Sequence, residues 1–174
     1  WKITPPVFDI WMRLLHAIED SVLWLLEGNA SIRGNLCKEA AARGIAPERL
    51  IFAGRTTPEK HLARQQLADL FLDTLPYNAH TTASDALWVG LPLITTEGRS
   101  FPARVAASIL KSANMPELIA ADLAEYEALA LKLARDPALL AEIRQKLASG
   151  RDDVALFDTK RFTRNLETSY LAML

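Results

Sequence analysis

The sequence predicts an α/β fold built on a doubly wound parallel sheet. Three observations lead there. Short apolar runs alternate with helical stretches of ten or more residues, the pattern of strand–helix–strand units. Some runs are apolar at every position, as in parallel strands buried on both faces; residues 22–26, Val-Leu-Trp-Leu-Leu, are the clearest case. Loops rich in Gly, Pro and Thr follow these runs at their carboxyl ends, where such sheets bind ligands.

The elements follow in order. Trp1 to Thr4 is a short apolar-basic start. Pro5 and Pro6 open a helix to about Ile18, with Val7, Ile10, Trp11, Leu14 and Leu15 on one face. Ser21–Leu26 is a strand, broken by Glu27-Gly28-Asn29. A helix over Ala30–Arg43 turns Ile32, Leu36, Cys37 and Ala40 inward. Gly44 to Pro47 is a turn, Leu50–Ala53 a strand, and Gly54–Pro58 the loop at its end. The helix Glu59–Asp69 carries His61, Arg64 and Leu67. Leu70–Asp73 is a short strand and Pro76–Asn78 a turn. Thr81 or Thr82 caps a helix to about Val89, stopped by Gly90 and Pro92. Leu91–Thr95 is the next strand. Ser100 caps a helix with Phe101 and Pro102 in its first turn. Leu118 and Ile119 form a last strand, followed by a helix over Asp122–Ala134. Asp136-Pro137 opens another, with Leu139, Leu140, Ile143 and Leu147 buried and Gly150 at its end. Arg151–Leu156 is a loop, with Asp152-Asp153 a solvated turn. A final helix from Phe157 or Asp158 to Leu174 carries a stripe of Phe162, Leu166 and Tyr170. Trp11, Trp24 and Trp88 read as core. The first strand of such a sheet would precede Lys2.

Composition narrows the function. The 174 residues suffice for one α/β domain with a real core. Lys plus Arg is 20 against 21 for Asp plus Glu, so bulk charge recruits neither nucleic acid nor an anionic membrane. Cys37 is the only cysteine, which excludes an internal disulfide and a cysteine zinc site and fits a reducing cytoplasm. No apolar run is long enough to span a membrane. No His/Cys/Asp cluster has metal-ligand spacing. The chain starts at Trp1 and reads as a piece of something longer.

The most informative stretch is Pro76–Ser108. His80-Thr81-Thr82 falls where a loop leaves a strand and a helix begins. Free backbone N–H groups and the positive end of the helix dipole attract phosphate there. The two threonine hydroxyls and the His80 ring add donors. Asp85 lies one turn further on the same face, where a carboxylate can accept the two hydroxyls of a ribose. Phosphate donors followed by a diol acceptor are the pattern of a nucleoside diphosphate site. Read without further context, the same residues are a capped helix start with a first-turn acid.

His80-Thr81-Thr82, Asp85, Leu87-Trp88, Gly90, Pro92, Gly98 and Arg104-Val105-Ala106-Ala107-Ser108 together resemble the donor-binding segment of the O-linked N-acetylglucosamine transferases, in their bacterial branch. The resemblance extends from Lys2 to Leu174. It implies the second Rossmann-like half of a GT-B glycosyltransferase, with residues 1–150 as the UDP-sugar-binding domain and 151–174 as a helix packing back on the catalytic region. By the same resemblance Lys2 contacts the donor diphosphate and is the catalytic residue; otherwise it is a solvated lysine. A cation there would neutralise the leaving group. His80, Thr81 and Thr82 would bind the diphosphate and Asp85 the ribose. His61 would pack along the uridine, Arg64 would hydrogen-bond the uracil, and the loop at Thr56-Thr57 would offer backbone groups to the base. Pro58 stands where animal members have a lysine near the ribose.

The implied reaction moves N-acetylglucosamine from UDP-GlcNAc to Ser or Thr of proteins, with inversion and with no cofactor or metal. Implied partners are the UDP-sugar donor, a protein acceptor, a first Rossmann half and upstream tetratricopeptide repeats. Two rivals remain. One is GDP-fucose-dependent protein fucosylation, as in the plant-type branch, although Arg64, His80 and Asp85 favour uridine. The other is a non-catalytic nucleotide-binding or interaction module.

Overall fold

Side-chain caps and prolines fix where most helices begin. The computed structural model describes residues 2–173. Trp1, the first residue of the apolar-basic start, and Leu174, the expected end of the last helix, lie outside the described residues. Helix α1 (Pro5–Ala17) starts on proline. Asn29 caps α2 (Ala30–Ala42) and Thr57 caps α3 (Pro58–Gln65). Helices α4 (Thr81–Trp88) and α5 (Val105–Ser112) start without a side-chain cap. Aspartates cap the last three: Asp122 for α6 (Leu123–Arg135), Asp136 for α7 (Pro137–Gly150) and Asp158 for α8 (Thr159–Leu171). The strands are β1 (Leu23–Leu26), β2 (Leu50–Ala53), β3 (Phe71–Leu72), β4 (Leu93–Thr96) and β5 (Ile119–Ala120).

Every strand pairing is parallel. β1 pairs with β2, Leu23 opposite Leu50, and β3–β4–β5 form a second ladder with Phe71 opposite Leu93 and Thr95 opposite Ile119. Among the described residues the two ladders are separate sheets rather than the single sheet expected. The core lies around β4, buried along its whole length. Against it pack Ala83, Ala86 and Leu87 of α4 and Ala106, Ala107 and Leu110 of α5. α1 buries Val7, Phe8, Ile10, Trp11, Met12, Leu14 and Leu15. It is tied to α6 by Trp11 Nε1 donating to the Tyr126 hydroxyl and by the Arg13–Glu127 ion pair.

Several expectations need correction. β1 is not buried on both faces: Leu23 is buried, but Leu26 is 56% exposed on a strand paired along one edge. α2 buries Ala40 alone, and Ile32 faces outward. α3 stops at Gln65, so Leu67 sits on a turn and is exposed. Trp88 is not core. It is 44% exposed, edge-on to Phe157 with the Arg151 guanidinium over its ring. Trp24 is half-buried. Ser100 makes no cap bond; a 3-10 turn at Phe101–Ala103 intervenes before α5. α8 has no buried residue, and Phe162, Leu166 and Tyr170 are all exposed. The segment before it packs more firmly, with Leu156 N–H bonded to Ser112 O and Phe157 against the core.

Candidate functional site

Two clusters form, each at the carboxyl end of a strand. The first lies beyond β2. Arg64 Nη1 donates to Gly54 O at 2.7 Å, its Nε donates to His61 Nδ1 at 3.2 Å, and its guanidinium sits over the Trp24 ring. With Nδ1 accepting, the His61 proton belongs on Nε2. Nε2 lies 2.6 Å from the Gln65 amide nitrogen while the Gln65 Oε1 lacks a partner among the described residues, so the amide turned over, with its oxygen accepting, is the arrangement that satisfies both. His61 and Arg64 therefore brace the loop after β2. Thr56, in that loop, is exposed.

The second cluster lies beyond β3. The loop 74–80 is stitched to itself and its neighbours. Thr74 Oγ1 donates to Tyr77 O, Asn78 Nδ2 to Thr74 O, and Asn78 N–H to Pro102 O. Lys2 Nζ donates to Asn78 O at 3.2 Å and stands 4.3 Å from the Tyr77 ring centroid. The far ends of the sequence stretch are thus joined: Lys2 reaches the loop that leads into His80. The His80 ring stacks on Tyr77 at 5.1 Å and meets Phe101 edge-on at 6.2 Å. Phe101 itself is 79% exposed, at the rim.

His80, not Thr81 or Thr82, occupies the position before the first turn of α4, with φ −113° and ψ −94°. Thr81 and Thr82 open the helix, and both are exposed. The first helical bonds are those of Ala83 N–H and Ser84 N–H to His80 O, which leaves the N–H groups of Thr81 and Thr82 directed outward from the helix start. Two buried polar atoms here lack a partner among the described residues, Asn78 Oδ1 and His80 Nε2. Asp85 is half-exposed on α4, one turn on. Such a place offers fixed backbone donors, a ring nitrogen and an ammonium to an anion.

Beneath this loop lies a carboxylate that pattern reading missed. Asp73 directly follows β3 and is 4% exposed. Its Oδ1 accepts from Ala79 N–H at 2.7 Å and its Oδ2 from the Thr95 hydroxyl at 2.6 Å. Burial pushes its carboxyl up to about 6, against the downward pull of the Thr95 and backbone hydrogen bonds and of Lys2. Its carbonyl accepts from the Tyr126 hydroxyl at 3.0 Å, and burial raises that phenol well above its ordinary range. One signal was available in the sequence: a charged residue closing an apolar run. Tyr77 and Phe101, the rings flanking His80, had no comparable signal. Arg104, part of the resemblance motif, pairs with Glu97.

Parallel strands with polar loops at their carboxyl ends, and a helix start dressed with donors, define a Rossmann-like ligand-binding domain. The chain belongs to glycosyl transferase family 41, whose pattern it matches over residues 1–166. It is 37% identical over 167 residues to a UDP-N-acetylglucosamine–peptide N-acetylglucosaminyltransferase of Caenorhabditis elegans, covering 96% of this chain and 14% of that protein. It is 36% identical to the probable enzyme of that name, SEC, of Arabidopsis thaliana, covering 99% of this chain and 18% of that protein. The solved structure of an O-GlcNAc transferase from Thermobaculum terrenum, a lysine-to-methionine mutant, superimposes with a TM-score of 0.93 at 34% identity, over 99% of this chain and 34% of that one. The fold is therefore that of part of a GT-B catalytic region. The chain spans less than a fifth of the length of each of these two curated relatives.

Proposed function

We propose that this chain is the donor-binding half of a protein O-glycosyltransferase that moves N-acetylglucosamine from UDP-GlcNAc to serine or threonine. The observation that carries it is the convergence of Lys2, the His80 ring and the start of α4 on one loop, with His80 Nε2 lacking a partner among the described residues. In this reading the diphosphate accepts from the Thr81 and Thr82 N–H groups and hydroxyls, and from His80. Asp85 accepts the ribose hydroxyls. The uridine lies towards the loop after β2, against His61 and Arg64, with backbone groups near Thr56 facing the base edge. Both side chains are braced by Gly54 and Gln65, so they meet a base with little rotamer entropy left to lose.

The chemistry is a displacement at the anomeric carbon. The acceptor oxygen forms the new bond, the bond to the diphosphate oxygen breaks, and UDP leaves with the electron pair. Lys2 supplies positive charge to that oxygen as it leaves, where it helps most. The acceptor proton leaves through groups outside this chain. No metal enters the proposal, because the cationic and dipolar groups around the loop can carry the phosphate charge. The rest of the longer protein would supply the other Rossmann half and tetratricopeptide repeats. Residues 151–174 would pack back on the catalytic region.

No helix among the described residues is long and apolar enough to cross a membrane; a cytoplasmic location is part of the proposal, resting on the lone cysteine. GDP-fucose as donor is not favoured, since the relatives described above carry UDP-N-acetylglucosamine names.

Calorimetric titration of the full-length protein with UDP, UMP and GDP tests this. UDP should bind more tightly than UMP and GDP, and His80→Ala should weaken UDP by at least tenfold. Preference for GDP would replace the donor, and absence of all binding would favour an interaction module.

A further inference from the structure

We propose that Asp73 is a positioning residue for the diphosphate site: its buried carboxylate holds the loop 74–80 and the Lys2 ammonium where the donor's phosphates bind. The inference rests on the donor reading above and goes beyond it, because Asp73 touches no ligand in that reading.

The geometry carries it. One carboxylate oxygen takes the Ala79 N–H, the residue immediately before His80, and the other takes the hydroxyl of Thr95 on β4. A single side chain therefore ties the end of β3, the neighbouring strand and the last residue before the candidate anion site. The backbone of the same residue is held from the far side by Tyr126, which is in turn held by Trp11. The loop cannot move at Ala79 without breaking a charge-assisted bond, the stronger class of hydrogen bond.

The charge has a use as well. The groups facing the carboxylate are the Thr95 hydroxyl from β4, the Ala79 and Thr74 amides from the loop, the Tyr126 residue from α6, and Lys2 from the segment before α1. Lys2 is the cation among them, and it is bonded to the same loop at Asn78 O. The ionised group strengthens both hydrogen bonds and also attracts the Lys2 ammonium. The carboxylate also repels the diphosphate, but its bond to Ala79 is direct whereas the diphosphate lies beyond His80. The positioning effect should dominate.

The test is UDP affinity of the full-length protein between pH 5 and 8, for wild type, Asp73→Asn, Thr95→Val and Thr95→Ser. Wild type should lose affinity as the pH falls through about 6, where burial places the carboxyl. Asp73→Asn should bind about tenfold more weakly at pH 7.5 and lack that step; titrations common to both proteins cancel in the comparison. Thr95→Val removes a bond that favours the ionised form, so its step should move to higher pH, and Thr95→Ser should restore it. Asp73→Asn binding UDP as tightly as wild type, or more tightly, overturns the inference and leaves the donor reading standing. Wild type that fails to bind UDP overturns both. If Asp73→Asn does not fold, the Thr95 pair decides: an unmoved step in Thr95→Val overturns the inference.

Discussion

At the scale of one residue, Asp73 contributes to the pH dependence of stability with a sign opposite to that of the ion-paired Glu97 and Glu127, whose partners hold them low. Its carboxyl sits at about 6 when folded, against an ordinary 3.8. Between those values the folded state holds a proton that the unfolded state has released, so stability falls as the pH rises from about 4 to about 6. Above that window the ionised carboxylate costs on the order of 3 kcal/mol. Asparagine removes the cost but weakens two bonds worth about 1 kcal/mol each. Asp73→Asn should therefore melt at or slightly above wild type at pH 7.5, and the difference should close by pH 4.5. Scanning calorimetry across that range checks it; a variant melting far below wild type at pH 7.5 would show that the hydrogen bonds outweigh the burial cost. Tyr126 works in the same network. Phenylalanine there leaves the Trp11 N–H and the Asp73 carbonyl unpaired in a buried place, at about 1–3 kcal/mol. A urea melt of Tyr126→Phe should show that loss.

At the scale of elements, the surroundings of α4 depend on two glycines for different reasons. Gly90, after α4, sits at φ +80°, the left-handed conformation that closes a helix. Gly98 needs room rather than freedom. A Cβ there would lie 2.5 Å from Ala103 Cβ, inside a turn closed by Gly98 N–H to Ala103 O. Gly98→Ala should cost about 1–3 kcal/mol by overpacking, and it should shift the Phe101 rim. A denaturant melt reads the first effect, and the near-ultraviolet dichroism of the aromatic cluster reads the second.

Much of this level was legible in the sequence. Asp136 announced its helix because capping is local chemistry; Asp122, read as the first helical residue, and Asp158, read as one of two possible starts, prove to be caps as well. Gly90-Leu91-Pro92 announced the end of α4. What stayed hidden was non-local. His80 displaced Thr81 from the capping position because its ring is held between Tyr77 and Phe101. Trp88 looked like core because it stands in an apolar run, yet it faces the segment before α8. The side chain of Asp73 finds its partners six and 22 residues away, beyond the reach of any periodicity.

At the scale of the whole molecule, the divided sheet asks for a strand. A right-handed crossover through α1 into β1 would place the preceding strand parallel to and beside β1. That position lies between β1 and β3, the flanking strands of the two ladders in a doubly wound order. α1 already has the burial of a crossover helix, from Val7 to Leu15, so its packing does not wait for that strand. The strand-facing groups do. β1 pairs along one edge with β2 and β3 along one edge with β4, and each leaves a row of backbone donors and acceptors to fill. We predict that residues upstream in the full-length protein form this central strand and lead into the segment before α1, whose Lys2 is bonded to the loop 74–80. Hydrogen exchange should show it. Amides of Leu23–Leu26 and Phe71–Leu72 should exchange at least tenfold more slowly in the full-length protein than in residues 1–174 alone, while those of β4, already paired on both sides, should change little. Equal exchange of β1 and β3 in the two proteins would mean that the ladders stay apart and that no central strand forms between them.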